Sequence, residues 1–263
     1  RHLGQPKCDT AWSNVVHVTR ERIMSKRTFV LIHGGGHGGW CYQRVAPLLR
    51  EAGHDVYAPS LTGLADRAHL LTPDTDLDTH VTDVVNLLTY EDLKEVILVG
   101  HSYGGMVITG AADRAIDRVG HLVYLDSATP ANGESLATHS KPFVDAQRER
   151  IFTVDGVELI MPPSAALARF LGVTDPDDVA WVVERLTPHP WKTTTQPLRL
   201  TNEAELWAIP QTHICCTASL AIRDVERIKA VSEGRLWDID TGHDLMLTEP
   251  HETAELLLRV AAL

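Results

Sequence analysis

Between Thr28 and Asp126 the chain alternates short apolar runs with longer stretches whose apolar residues recur at helical spacing. "TFVLIH" (Thr28 to His33), "DVYAPS", "EVILVG" and "HLVYLD" (ending at Asp126) predict strands. The first and third are almost continuously apolar, as strands buried on both faces are. "CYQRVAPLLREAGH", "THVTDVVNLLTYED" and "YGGMVITGAADRA" predict the intervening helices. This alternation predicts an α/β protein with right-handed crossovers and a mostly parallel central sheet, helices covering both faces.

The rhythm breaks after Ser127. "KPFVDAQRER", "LIMPPSAALARFLG", "DPDDVAWVVERLTPHPW" and "TTTQPLRL" predict short helices and proline-rich turns. A stretch of that length between two strands predicts an inserted helical cap over residues 127–209. The strand pattern resumes with "THICCT". It continues through helical "RDVERIKAVSE", the strand "GRLWDID", the loop "TGHDLMLTEP" and a final helix, "HETAELLLRVAA". The expected organisation is a core of residues 28–126 and 210–263, the cap, and an N-terminal extension of residues 1–27. The extension has no apolar h-region. Met24, just before the first strand, marks the expected native start, with residues 1–23 upstream or appended; a genuine surface extension is the alternative.

Composition narrows the function. The chain has 44% hydrophobic and 22% charged residues, the balance of a soluble globular protein. A formal charge of −11 without any Lys/Arg cluster argues against nucleic acid as a partner. No window approaches the ~20 apolar residues of a membrane helix. Cys8, Cys41, Cys215 and Cys216 form no C-x-x-C pair, and "HICCT" reads as strand core. A reducing, cytoplasmic location is expected, with no metal site.

Three stretches carry candidate chemistry. "GHSYG" (Gly100 to Gly104) sets Ser102 between a buried strand and a helix in the pattern G-x-S-x-G. That turn presents a serine above the carboxyl edge of the sheet, with glycines where a side chain would clash. "HGGGHGGW" (His33 to Trp40) leaves backbone N–H groups uncovered after the first strand. The N–H groups of Gly35 and Tyr103 are the candidate donors to a developing oxyanion. The loop lacks both G-K-[ST] and G-x-G-x-x-G, so it is not read as a phosphate loop. His33 and His37 are expected to shape it by hydrogen bonding. "DTGHDLML" puts His243 after the last strand, where a base completing the order Ser, acid, His belongs.

Taken together, the strand–"HGGGHGGW"–helix unit, the "GHSYGG" elbow and the late "GHD" resemble the α/β-hydrolase family over roughly Thr28 to Leu263. "LIHGGGHGGW" and "LREAGHDVYAPSLTG" are most similar to its small esterase and hydroxynitrile lyase branch, which includes plant methyl esterases. The resemblance implies Ser102 as nucleophile, His243 as base, and Gly35 and Tyr103 as oxyanion donors. The acid departs from that branch, which carries an aspartate after the penultimate strand. Here that loop reads "CCTASLAIRD", with no acid near Ala218 to Leu220. The fold's second place for the acid, the end of the strand after the elbow helix, holds Asp126; Asp224 is the alternative.

The implied activity is cofactor-free hydrolysis of a small or medium carboxylic ester or lactone through an acyl-enzyme. The partner is a small molecule, with a homodimer left open. Gly34, Trp181 and Trp191, with Phe143, Phe152 and Phe170, are candidate pocket residues. A non-hydrolytic member of the fold (ligand receptor, cofactor-less dioxygenase or hydroxynitrile lyase) is the alternative. Against the lyase, the places that hold threonine and lysine in such enzymes hold Gly34 and Asp244.

Overall fold

The computed structural model describes residues 26–263; the expectations for residues 1–23, Met24 and Cys8 lie outside them. Six strands form one parallel sheet: β1 (Thr28–Ile32), β2 (Asp55–Tyr57), β3 (Val96–His101), β4 (Val119–Leu125), β8 (Gln211–Cys216) and β9 (Leu236–Ile239), in the order β2-β1-β3-β4-β8-β9. Every residue of β3 and β8 is buried, which is why β3 is apolar without alternation; β8 also buries the polar Gln211, Thr212 and His213. Helix α1 (Ala46–Glu51) and the helix Pro250–Ala261 cover one face; α2 (Leu77–Tyr90) and α3 (Gly104–Arg114) cover the other.

α1 is shorter than its apolar spacing predicts. Pro47 lies in its first turn, where a missing N–H costs nothing. The preceding residues form a 3-10 turn, Gly39–Tyr42. α2 starts as its sequence dictates: the Asp76 side chain accepts from Thr79 N, and Thr79 Oγ1 bonds back to Asp76 N, a capping box.

Residues 127–209 are not purely helical, whereas the sequence predicts short helices and proline-rich turns there. Besides short helices they hold a three-stranded antiparallel sheet: β5 (Phe152–Val154), β6 (Val157–Ile160) and β7 (His189–Pro190). Strands of three, four and two residues are too short to register as alternation. The Asp155-Gly156 turn between β5 and β6, with φ of +49° and +80°, is the hairpin signal. The insertion shares its core with the sheet. Ile160, Met161 and Trp191 pack in one cluster with Ile32 and Tyr103, and Ala168, Val179 and Val182 in the other with Phe29 and Leu31.

Candidate active site

Parallel pairing brings the carboxyl ends of β3, β4, β8 and β9 into line: His101 faces Leu125, Leu125 faces Ile214, and Cys216 faces Ile239. Ser102, Asp126 and the loop bearing His243 leave the sheet at this one edge. Ser102 adopts φ +54°, a left-handed conformation that costs a non-glycine residue about 1–3 kcal/mol. The flanking glycines allow it. A Cβ on Gly100 would meet Gly104 O at 2.6 Å, and one on Gly104 would meet Ile32 O at 2.8 Å. The Ser102 carbonyl, held by the N–H groups of Gly105 and Ala128, fixes the turn and leaves the side chain half-buried at the start of α3.

Asp126 also has positive φ, +43°, a region aspartate tolerates better than most residues. Its carboxylate is buried, and Oδ2 lies 2.6 Å from His243 Nδ1. The same carboxylate accepts from Arg223 at 3.0 Å, from the N–H and thiol of Cys216 at 3.3 Å each, and from the Ser219 hydroxyl. Burial pushes this carboxyl up. The His243 hydrogen bond and charge, Arg223 and Ser219 outweigh it and hold the group well below the usual carboxylate range. An ionised Asp126 accepts the hydrogen bond of His243 Nδ1–H, so Nε2 presents its lone pair. His101 fixes the other side of this loop. Its Nε2 donates to His243 O at 2.9 Å, and the two rings lie 4.7 Å apart. The loop of Gly34 closes on the same place, since a Cβ there would lie 2.9 Å from both His101 Nδ1 and Ser102 Cβ.

Histidines hold the glycine loop. His33 Nε2 accepts from Leu61 N, so its Nδ1 carries the proton it donates to Gly34 O at 2.8 Å. His37 Nδ1 donates to Gly35 O at 2.9 Å. From β7, His189 Nδ1 accepts from Gly36 N at 3.3 Å while its Nε2 bonds Thr193. Burial pushes His33 down to about 3 and His189 well below the usual histidine range, so both stay neutral. The N–H groups of Gly35 and Tyr103 have no hydrogen-bond partner among the described residues. The Tyr103 hydroxyl donates to His80 Nδ1, whose Nε2–H is held by Thr62 O. The arrangement offers a serine hydroxyl, an oriented imidazole and two uncommitted backbone donors at one sheet edge.

Gly34, Gly35, Ser102, Tyr103, Asp126 and His243 therefore come together. Asp224 does not join them: it caps the helix Val225–Val231 by accepting from Arg227 N. Trp181 packs edge-on to Trp40 and between Arg44 and Arg185, a contact of the insertion with the core. Trp191 is buried in the cluster with Ile160, Met161 and Tyr103, with Arg148 over its ring. Phe143 stacks on Phe170, which is 70% exposed, and Phe152 is half-buried on β5. Residues without a sequence signal complete the surroundings. Ser219 and Arg223 hold the acid, His101 and His189 brace the loops, and Met161 Sδ lies 3.6 Å from where a Gly35 Cβ would be.

A model of the alpha/beta hydrolase family matches residues 29–256. A carbendazim hydrolyzing esterase of Nocardioides sp. (strain SG-4G) is 39% identical over 241 residues, covering 87% of this chain and 97% of that protein. Among solved structures, an extracellular alpha/beta-hydrolase from a Paenibacillus species, 23% identical, superposes with a TM-score of 0.72 over 89% of this chain and 98% of its own. A methylesterase from Arabidopsis, also 23% identical, superposes at 0.69 over 90% and 99%.

Proposed function

The chain belongs to the alpha/beta hydrolase family, and on that footing we propose that it is a serine carboxylic ester hydrolase acting on a small or medium ester or lactone through an acyl-enzyme. The observation that carries this reading is the 2.6 Å contact of His243 Nδ1 with a buried, ionised Asp126 beside a serine at φ +54°. The Nocardioides relative, 39% identical, is an esterase.

In this reading His243 Nε2 takes the proton of Ser102 Oγ as the oxygen attacks the ester carbonyl. The tetrahedral oxyanion receives the N–H groups of Gly35 and Tyr103, donors that carry no other bond to give up. His243 then protonates the leaving alcohol, and Asp126 stabilises the imidazolium in between. A water, deprotonated by the same nitrogen, releases the acid and restores Ser102. Gly34, His189 and Met161 border the oxyanion end of the site; Trp191 packs in the same cluster as Met161 and Tyr103, and Trp181 packs on Trp40 at the end of the glycine-rich loop. The expected compartment is the reducing cytoplasm, which suits free, buried Cys41, Cys215 and Cys216.

The test is turnover of a p-nitrophenyl ester series from acetate to octanoate, with carbendazim added because the Nocardioides relative is a carbendazim hydrolyzing esterase. Expected are burst kinetics, chain-length preference and labelling of Ser102 by a fluorophosphonate. An inert protein that the probe leaves unlabelled would overturn the assignment.

A further inference from the structure

His37 and Asp244 form a second histidine–aspartate pair, 207 residues apart in sequence and next to the first pair in space. His37 Nε2 lies 3.0 Å from Asp244 Oδ2, both side chains at most 1% exposed. Asp244 directly follows His243, the base of the proposed reaction. Through its other nitrogen His37 holds Gly35 O, the carbonyl of the residue whose N–H is the proposed oxyanion donor.

The hydrogen-bond inventory distinguishes His37 from its neighbours. His33, His80 and His189 each give a proton at one nitrogen and accept one at the other. Such rings are complete when neutral. His37 faces two acceptors, a peptide carbonyl and a carboxylate, and completing both bonds requires a proton on each nitrogen. We propose that His37 is a buried imidazolium paired with the Asp244 carboxylate, and that this pair positions the oxyanion donor Gly35 relative to the general base His243. This inference rests on the hydrolase reading of the site.

The surroundings are consistent with one net charge pair. The titratable groups facing His37 and Asp244 are His33 on the same loop, Cys41 and Tyr42 on the following turn, His101 on the elbow, His189 on β7 and His243 beside Asp244. His101 Nε2 is 3.8 Å from Asp244 Oδ1, but its proton goes to His243 O. Oδ1 has no hydrogen-bond partner among the described residues, so His37 is the carboxylate's main support. Burial alone pushes His37 down; the charge and hydrogen bond of Asp244 and the Gly35 carbonyl outweigh it and raise it. As pH rises through that elevated value, the proton between the two loops is lost. Nε2 then turns a lone pair on the carboxylate, and the hold on Gly35 loosens.

Long-range 15N–1H NMR of the wild-type protein reads the charge state directly. At neutral pH His37 should show two protonated nitrogens, and His33, His80 and His189 one each; a bare nitrogen on His37 would overturn the proposal. In kinetics, His37→Gln and Asp244→Ala should lower kcat about 10- to 100-fold with little change in KM. Asp244→Asn, whose amide can donate to a neutral His37, should retain more activity and lose the alkaline fall in kcat. Equal damage from Asn and Ala with an unchanged pH profile would make the pair merely structural and sink the idea. Wild type with no Ser102-dependent turnover would instead defeat the hydrolase reading, while the NMR result would still decide the charge of His37.

Discussion

His243 Nδ1 lies 2.6 Å from Asp126 Oδ2, although Asp126 closes β4 and His243 follows β9, two strands further across the sheet. The space between is filled by β8 and its loop, where Cys216, Ser219 and Arg223 converge on the carboxylate from the far side. The loop whose own acid, Asp224, caps a helix thus supplies donors to an acid on the neighbouring strand.

Asp126→Asn should lower kcat about 10⁴-fold, because an amide can hold His243 in the wrong tautomer. Asparagine tolerates the left-handed backbone of this position, so the fold should survive. Arg223 loses its partner charge, and stability should fall by about 1–3 kcal/mol near neutral pH. The folded-state carboxyl is held low, so its contribution is present above the ordinary carboxylate pKa and is lost as pH falls. The stability gap to wild type should therefore close in acid. Urea titrations of both proteins at pH 7 and below pH 4 check this; a gap that stays constant would mean that Asp126 is not ionised.

Ser102 stands at φ +54°, and the strain is stored for presentation of the hydroxyl. Ser102→Gly should raise the melting temperature by an amount corresponding to about 1 kcal/mol while lowering kcat about 10⁶-fold. Ser102→Ala should lose as much activity without the gain in stability. Calorimetry separates the two variants. If Ser102→Gly proves less stable than Ser102→Ala, the turn carries no strain.

The parts of this site with local signals are legible in the chain. The continuous apolar β1 and β3, the glycines around Ser102 and the late His243 follow from near-neighbour chemistry. The second pair, His37 with Asp244, is not, because 207 residues separate its members and neither sits in a motif that names the other. Ser219 and Arg223 are likewise silent: their role exists only because β8 lies beside β4. The small antiparallel sheet carries one local sign, Asp155-Gly156, but its strands are shorter than any period can register. Trp181 looks like a pocket wall because it is aromatic, and its place between Arg44 and Arg185 depends on contacts that composition does not encode.

Gly34 and Gly35 should respond oppositely to alanine. At Gly34 the new methyl lies 2.9 Å from His101 Nδ1 and Ser102 Cβ, so the oxyanion loop must move off the elbow. Gly34→Ala should cost kcat at least about 100-fold. At Gly35 the methyl finds His189 and Met161 Sδ at 3.6 Å, ordinary contact. Gly35→Ala should keep kcat and shift preference toward smaller acyl groups. Parallel assays on acetate and octanoate esters test the pair, and an intact Gly34→Ala enzyme would contradict the close approach.

His213 is a buried histidine that the site does not use. It is 1% exposed on β8, stacked at 4.9 Å on Tyr124, and neither ring nitrogen has a partner among the described residues. Burial and Arg223 push it down to about 3. The folded protein therefore keeps it neutral while the unfolded chain protonates it below about pH 6.5. Its folded value is the depressed one, so stability is fully present above 6.5 and drains as pH falls, by about 1.4 kcal/mol per unit. His213→Phe keeps the stacked ring and removes both the idle nitrogens and the linkage. The variant should match or exceed wild type at pH 7.5 and be more stable by roughly a further 2 kcal/mol at pH 5. Urea midpoints across that range decide the matter. A difference independent of pH would mean that His213 is protonated as readily in the folded protein as out of it.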